Sequence, residues 1–452
     1  MKKEIHFKIY HKLLYIFAFV LPFSTPSLSH SQGAHFYFNI TPALVGLFLL
    51  NWLAEADFKA KFQRIKENKL IFPFFAVVGF YVMHLIGLTY TPDLSLGKTD
   101  ILLKLPFLLL PLIVFTSNSA MWKPKSIQNL LYTFALGNLF AVISSLISSF
   151  LRCGETFSVT YFHYANASFF FHSSYASMYY CFSFVIVFYL LINRHLCLWK
   201  KITAWLMFFL FPLEIVLLDS RTGLLAFAVV MLVFALYIFI FHREKILRFL
   251  LYMSMLAAIF TASYYLLPQG TNRLAATFYR MKSNIADKSR SEEQKKAKTW
   301  NMEQLNEDVE AGKIDARAQT LSAAVEVLKE YPVFGVGTGG VKKVLMEKYI
   351  KYNFHISQKK ELNAHNQFLQ VAVSLGFVGF TIFLAFLVSL FWLGWKKRNI
   401  LLILFGLIGI VNFLTESMLE RQVGVMFFAF FFALLSYFAA TNLFENEQNK
   451  TK

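Results

Sequence analysis

Residues 222–241 read TGLLAFAVVMLVFALYIFIF, an apolar stretch without a single charged side chain. A helix of about 20 apolar residues is long enough to cross the hydrocarbon core of a bilayer. Similar stretches recur along the chain, and together they predict an all-α polytopic integral membrane protein with about twelve transmembrane helices. The others lie at residues 13–29, 37–54, 70–90, 101–116, 128–151, 174–193, 203–219, 249–268, 366–394, 400–416 and 422–441.

The composition agrees with a chain that lies mostly in lipid. Of its 452 residues, 57% are hydrophobic and 15% are charged, whereas about 25% of the residues in a soluble domain are charged. This excludes a soluble enzyme, and the number of apolar stretches excludes a single-pass anchor. The formal net charge is +18, but the basic residues occur in short runs between apolar stretches. Because a nucleic-acid binder collects them on one face, we expect no nucleic-acid partner.

The basic runs predict the topology of the chain. Every second connection carries several Lys or Arg residues, for example at 59–69, 243–248 and 396–398. The positive-inside rule assigns such connections to the cytoplasm, so both termini are predicted to be cytoplasmic. The first apolar stretch also has the basic start and short apolar core of a signal peptide. We prefer a retained helix because further membrane helices follow.

One connection is much longer than the others. Residues 269–365 are rich in Lys, Glu, Gln and Asn and fall on the extracytoplasmic side, where we predict a large helical loop. The chain is then divided into helices one to nine (1–268), the loop (269–365), helices ten to twelve (366–441) and a cytoplasmic tail (442–452). Within the loop, the apolar spacing predicts a helix at 313–331, which Pro332 ends. A glycine run at 335–340 predicts a tight turn before a second helix at 341–352.

Two arginines are candidates for anion binding. Arg221 joins two apolar stretches so closely that it must lie at, or just beneath, the extracytoplasmic membrane surface. It could reach lipid headgroups or pair with Asp219, or it could hold a phosphate in bidentate fashion. Arg317 falls on the apolar face of the helix predicted at 313–331, so it should point toward a partner. That partner could be a carboxylate or a ligand phosphate.

His365 is the candidate general base. His365 and Asn366 come just before the apolar stretch that resumes at Phe368, so we expect the imidazole in the first turn of a membrane helix. A helix N-terminus disfavours a charged imidazole and attracts anions. A neutral His365 would therefore be suited to remove a proton beside a bound phosphate. The alternative is a histidine that only caps the helix.

Several further residues are secondary candidates. Lys98 and Lys104 flank the start of the fourth apolar stretch, where Lys104 must reach the membrane surface or meet an anion. His172 and Tyr175 lie near the extracytoplasmic start of the sixth stretch, and Asn366 adjoins the candidate base. No zinc motif, nucleotide-binding loop or Asp-x-Asp motif is present, so we expect neither a metal nor a cofactor.

The joint order of these motifs resembles the O-antigen ligase/O-antigen polymerase family over residues 200–440. The shared features are Ser220-Arg221-Thr222-Gly223 between two apolar stretches, Arg317, Pro332 and the glycine run in the large loop, and His365-Asn366 before the next stretch. The resemblance implies a glycosyltransferase that takes a glycan from undecaprenyl diphosphate on the periplasmic side of the bacterial inner membrane. It also implies that Arg221 and Arg317 bind the diphosphate, while His365 acts on the acceptor hydroxyl.

The resemblance leaves the acceptor open. A ligase transfers the glycan to lipid A-core in lipopolysaccharide biosynthesis, a polymerase transfers it to another carrier-linked repeat unit, and related enzymes transfer it to protein Ser or Thr. Twelve helices with one large loop after the ninth favour the ligase, whose partners are the lipid-linked donor, lipid A-core and membrane lipids. A lipid-linked oligosaccharide transporter could also have twelve helices. Transporters, however, show two similar halves and place ionisable residues near the bilayer midplane. This sequence shows neither feature.

Overall fold

The computed structural model describes residues 2–24, 39–153, 159–193, 196–266, 302–312 and 314–443. These residues form helices and their connections, with no β-strand among them. The predicted all-helical architecture is therefore confirmed. The predicted tail beyond residue 443 and the first part of the large loop, at 267–301, lie outside the described residues, as does the connection at 25–38.

Eleven described helices precede the large loop and contain the first nine predicted stretches. They are α1 (Lys2–Val20), α2 (Thr41–Glu55), α3 (Phe58–Glu67), α4 (Ile71–Gly87), α5 (Leu94–Lys104), α6 (Pro106–Phe115), α7 (Pro124–Cys153), α8 (Ser173–Asn193), α9 (Leu198–Leu217), α10 (Arg221–Phe241) and α11 (Ile246–Leu266). The stretch at 101–116 is divided between α5 and α6, because Pro106 has no N–H with which to continue the preceding helix. The first helix, α1, packs against α2 and α7.

The described part of the large loop forms four short helices with an apolar core of their own. They are α12 (Met302–Glu310), α13 (Arg317–Glu330), α14 (Val341–Lys351) and α15 (His355–Lys359). Leu305, Val327, Leu345 and Tyr349 belong to this core. The second predicted loop helix is confirmed as α14. The first begins later than predicted, because α13 starts at Arg317.

Three helices follow the loop, namely α16 (Gln367–Lys396), α17 (Ile400–Phe413) and α18 (Gln422–Ala440). Helix α16 packs against α4, α17 and the loop helix α13, and α18 packs against α6. Helices α8 and α18 are almost wholly buried inside the bundle. Both are apolar on all sides, as expected of helices that other helices surround.

The glycine run joins the loop to a kink in α16. Gly376 has a φ of 64°, a left-handed conformation that interrupts the helix. The N–H of Gly337 donates to the carbonyl oxygen of Ser374 at 2.9 Å. A Cβ atom on Gly376 would lie 2.1 Å from the carbonyl oxygen of Val333, so only glycine allows the two backbones to come this close. The glycine run therefore packs against α16 and also forms the predicted turn.

Six helices are long and apolar enough to cross a membrane, judged on the described residues alone. They are Ile71–Tyr90, Pro124–Cys153, Ser173–Ile192, Arg221–Phe241, Gln367–Lys396 and Gln422–Ala440. Helices α2 and α17 are apolar but shorter. The chain is therefore a helical polytopic membrane protein. Each of the twelve predicted stretches overlaps a described helix, while the number of twelve crossings stays a prediction.

Candidate active site

Side chains from three distant parts of the chain meet at Glu416. Its Oε1 accepts a hydrogen bond from Nη2 of Arg317 at 2.8 Å. Its Oε2 lies 3.1 Å from Nδ1 of His365, which is also within hydrogen-bond distance. The structure therefore brings together the candidate phosphate ligand Arg317 and the candidate base His365. It does so through a carboxylate that the sequence analysis did not select.

The start of α16 holds the segment that carries Glu416. This segment, residues 414–421, connects α17 to α18. Nδ2 of Asn366 donates to the carbonyl oxygen of Leu414 at 3.1 Å, and Oε1 of the buried Gln367 accepts the N–H of Leu419 at 2.6 Å. Two successive side chains thus fasten the segment on both sides of Glu416.

The structure places His365 outside the helix, which corrects the predicted position in the first turn of α16. Oδ1 of Asn366 accepts the N–H of Leu369 at 3.0 Å, so Asn366 is the N-cap and the helix begins at Gln367. Short polar side chains are preferred at this position because they satisfy a free helical N–H. His365 has a φ of 47°, and its N–H donates to Oδ1 of Asn363 at 2.9 Å. This uncommon backbone conformation holds the imidazole beside Glu416.

Arg317 is the first residue of α13. A cation is disfavoured at a helix N-terminus, where the backbone dipole attracts anions. The carboxylate of Glu416 offsets this cost. The side chain of Arg317 is 44% exposed, against 14% for Glu416. A guanidinium has five N–H donors, and the bond to Glu416 is the one that the Arg317 side chain makes with the described residues. Its other donors can therefore bind a second anion.

The charges around Glu416 keep it ionised. Burial alone would raise the pKa of this carboxyl, but the hydrogen bond with His365 and the charges of His365 and Arg317 outweigh burial and lower the pKa below its ordinary value of 4.5. An ionised Glu416 accepts a hydrogen bond from Nδ1 of His365, which therefore carries the proton of the neutral imidazole. The lone pair of the imidazole is then on Nε2, which is the arrangement that a general base needs.

Arg221 begins α10, and it lies close to the same segment. Oγ of Ser220 accepts the N–H of Gly223 at 3.1 Å and caps the helix. The hydroxyl of Thr222 is 2.8 Å from the hydroxyl of Thr415, the residue before Glu416. The Arg221 side chain is exposed and makes no hydrogen bond or ion pair with any described residue. Of the alternatives left open for it, pairing with Asp219 is therefore not seen.

His172 and Tyr175 lie beside the same segment, at the start of α8. The charges of Glu416, Arg317 and His365 all act on His172, which places it within electrostatic range of the cluster. The hydroxyl of the buried Tyr175 is 3.5 Å from the carbonyl oxygen of Met418. Both secondary candidates thus border the cluster.

The two lysine candidates are placed differently from each other. Lys104 is fully buried and forms ion pairs with Asp100 and, at 3.4 Å, with Glu420. Lys104 therefore does not reach the membrane surface but meets two anionic side chains of the protein itself. Lys98 is exposed, and its side chain has no ion pair within the described part of the chain.

The charged groups of the cluster can act on an anion without a metal. Among the described residues, no group of three or more His, Cys, Asp or Glu side chains is placed to hold a metal ion. Two guanidinium groups are available to stabilise negative charge, and one histidine is oriented by a carboxylate. Such a cluster can hold a phosphate and remove a proton from a nearby hydroxyl.

One sequence signal could have identified Glu416. It is an acidic residue at the end of the apolar stretch 400–416, directly before the connection to the last stretch. The predicted alternation of the helices places this end on the same side of the membrane as Arg221, Arg317 and His365. Only the basic residues beside the stretches bear on topology, so Glu416 was not among the predicted site residues.

Residues 202–384 match the family model described as O-antigen ligase. The matched range contains Arg221, Arg317 and His365, whereas Glu416 lies beyond it. No curated protein matches the chain. The family match supports the resemblance drawn from the motifs, and this chain is therefore a helical polytopic membrane protein whose residues 202–384 are similar to the O-antigen ligase family.

Proposed function

We propose that this protein is an O-antigen ligase. It would transfer a glycan from undecaprenyl diphosphate to lipid A-core on the periplasmic side of the bacterial inner membrane, in lipopolysaccharide biosynthesis. The observation that carries the proposal is the position of Glu416, 2.8 Å from Nη2 of Arg317 and 3.1 Å from Nδ1 of His365. This geometry suits a reaction with an anionic leaving group and a hydroxyl nucleophile.

The two arginines act on the donor in this proposal. The diphosphate already is a competent leaving group, and it needs stabilisation of the negative charge that develops as the glycosidic bond breaks. Arg221 and Arg317 each occupy the first position of a helix, where backbone N–H groups also favour anions. Stabilising the diphosphate in this way requires neither a metal ion nor a cofactor.

His365 acts on the acceptor. Nε2 takes the proton of the acceptor hydroxyl while the hydroxyl oxygen bonds to the anomeric carbon of the donor. The bond between that carbon and the phosphate oxygen breaks, and its electron pair leaves with the diphosphate. Glu416 is a positioning residue, because it fixes the tautomer of His365 and stabilises the imidazolium that forms. A single displacement of this kind inverts the anomeric configuration.

The proposed topology follows from the basic connections of the chain. Both termini and the Lys-rich and Arg-rich connections would face the cytoplasm, and the loop with α12–α15 would face the periplasm. The residues of the cluster lie at the ends of α10, α13, α16 and α17. A lipid-linked donor could then keep its chain in the bilayer while its diphosphate reaches Arg221.

A repeat-unit polymerase of the same family is the second candidate. It uses the same donor, so the contacts of Arg317, Glu416 and His365 suit it equally well. A protein O-oligosaccharyltransferase would differ again only in its acceptor. A lipid-linked oligosaccharide transporter fits less well, because the charged cluster lies at helix ends and not within the middle of the helices.

The acceptor can be identified with the purified protein in liposomes. The donor is a glycan linked to undecaprenyl diphosphate, and the acceptor is either lipid A-core or a second carrier-linked repeat unit. Transfer to lipid A-core without chain growth supports the ligase. Lengthening of carrier-linked chains supports the polymerase. No transfer to either acceptor by folded protein would overturn both.

A further inference from the structure

A cavity with both apolar and polar walls borders the segment that carries Glu416. It has a volume of about 280 Å³ and lies between α5, α14 and α16. Small-molecule sites usually have about 300–1,000 Å³, so this cavity is suited to one small ring. Its polar walls include Thr99, Asp100, Asn363, Gln370 and Glu420.

Two walls of the cavity are directly connected to the proposed catalytic residues. Asn363 lines the cavity and accepts, through Oδ1, the N–H of His365 at 2.9 Å. Glu420 lines it as well, and it belongs to the same short segment as Glu416. A molecule in this cavity would therefore contact Asn363, the residue that holds the N–H of His365.

The charges at the cavity differ from those around Arg221 and Arg317. Lys104 lies behind Asp100 and Glu420 and forms an ion pair with both of them. On another wall, Lys342 pairs with Glu361 at 2.7 Å. Three carboxylates thus face two ammonium groups. Both ammonium groups are already paired with carboxylates, so neither is free to hold a phosphate, whereas carboxylate, amide and hydroxyl groups all form hydrogen bonds with sugar hydroxyls.

The side chain of Gln370 favours a polar ligand in the cavity. The residue is only 5% exposed, and it lines the cavity. Its Oε1 accepts a long hydrogen bond of 3.5 Å from the N–H of Ala364, while its Nε2 has no partner among the described residues. This amide N–H is therefore available as a donor to an acceptor atom inside the cavity.

We propose that the cavity binds a hydroxyl-bearing sugar ring of the acceptor. This inference rests on the proposed glycosyl transfer and assigns its acceptor subsite. The diphosphate of the donor is drawn to Arg221 and Arg317, whereas both lysines at the cavity are already paired with carboxylates of the protein. The acceptor hydroxyl, in contrast, must reach His365, whose N–H is held by Asn363 in the cavity wall.

Two cavity variants and one control test the assignment. Gln370→Leu removes the amide at nearly constant size, and Thr99→Trp fills the cavity from an exposed position on α5. Gln358→Leu makes the same chemical change on α15, outside the cavity. The probes are the core oligosaccharide released from lipid A by mild acid and the carrier-free O-antigen repeat unit. Their binding is measured by titration calorimetry on the full-length protein in detergent.

We expect one of the two oligosaccharides to bind the wild type. Binding should weaken about tenfold in Gln370→Leu, as for the loss of one good hydrogen bond. It should be lost in Thr99→Trp and unchanged in Gln358→Leu. No binding to the wild type, or equal binding by both cavity variants and the wild type, would overturn the assignment. Binding of the core oligosaccharide indicates a ligase acceptor and binding of the repeat unit a polymerase acceptor.

The transfer assay separates the cavity from the proposed function. Gln370→Leu should raise the KM for the acceptor and leave the KM for the donor unchanged. A rise in the donor KM instead would show that the cavity holds a donor sugar. Oligosaccharide binding without any transfer would contradict the proposed function and leave the subsite intact. Transfer with unaltered acceptor KM in both cavity variants would contradict the subsite alone.

Discussion

The hydroxyl of Thr222 lies 2.8 Å from the hydroxyl of Thr415. Each threonine is next in sequence to a charged residue of the cluster, Arg221 in one case and Glu416 in the other. This contact therefore fixes the start of α10 against the segment between α17 and α18. The side chain of Arg221 has no partner among the described residues. The contact between the two threonines nevertheless places Arg221 beside the segment whose Glu416 contacts Arg317 and His365.

Arg221→Lys should raise the KM for the lipid-linked donor about tenfold, because lysine keeps the charge but cannot form a bidentate contact with phosphate. The measurement is the initial rate of transfer at varied donor concentration. Arg243→Lys, at the other end of α10, is the matched control, since the Arg243 guanidinium contacts only Phe239 among the described residues. An unchanged donor KM in Arg221→Lys would remove Arg221 from the donor site.

Arg317→Lys should lower kcat/KM by at least tenfold, although the charge is retained. A single ammonium group cannot both replace the bond from Nη2 of Arg317 to Glu416 and offer a phosphate the remaining donors of a planar guanidinium. The assay is transfer by equal amounts of folded protein, with Arg243→Lys again as control. Full activity in Arg317→Lys would show that its contact with Glu416 is purely structural.

Glu416→Gln should lower kcat by about 100-fold and leave the KM for the donor unchanged. The amide keeps the shape of the side chain but cannot stabilise the imidazolium of His365. Glu326→Gln is the control, because Glu326 forms an ion pair with Lys329 at 2.7 Å on the exposed side of α13. If Glu416→Gln changed the donor KM and not kcat, Glu416 would be a binding residue.

His365→Ala should retain donor binding and slow transfer by about 10²–10⁴, the usual contribution of a general base. Binding is followed with labelled undecaprenyl diphosphate, and transfer is followed with the complete donor. Asn363→Ala is a useful companion, because it removes the side chain that holds the N–H of His365. Equal losses of binding and turnover in His365→Ala would argue against the role of a base.

The ion pairs of Glu416 predict a dependence of stability on pH. Its pKa is lowered in the folded protein, so the carboxylate stabilises the fold at pH above its ordinary value of 4.5. This contribution is lost as the pH falls through the lowered pKa. The melting temperature of the wild type should therefore fall more steeply below pH 4.5 than that of Glu416→Gln. Parallel curves for the two proteins would show that the ion pairs contribute no stability.

The sequence predicted the helices well because their signal is local. An apolar stretch of about 20 residues is recognised without knowing its neighbours, and α14 appears where the spacing placed it. The starts of α13 and α16 were harder to predict. They depend on capping contacts such as the one between Asn366 and Leu369, which can be judged only when the backbone is known.

The candidate site was predicted in part. Arg317 was found because it falls on the apolar face of a predicted helix, and His365 was found because it comes just before an apolar stretch. Glu416 was missed, since its contact with Arg317 joins residues 99 positions apart and leaves no periodic pattern. The ion pairs of Lys104 with Asp100 and Glu420 show the same limit, because the more distant partner belongs to a remote segment.

In the proposed function, glycan transfer and carrier release are one reaction beside Glu416, Arg317 and His365. The most direct measurement counts both products with purified protein, glycan-linked undecaprenyl diphosphate, lipid A-core and a metal chelator. We predict one undecaprenyl diphosphate released for each glycan joined to lipid A-core by the wild type, and almost none by Glu416→Gln. Release of the carrier without any transfer of glycan, or equal transfer by the wild type and Glu416→Gln, would contradict the account.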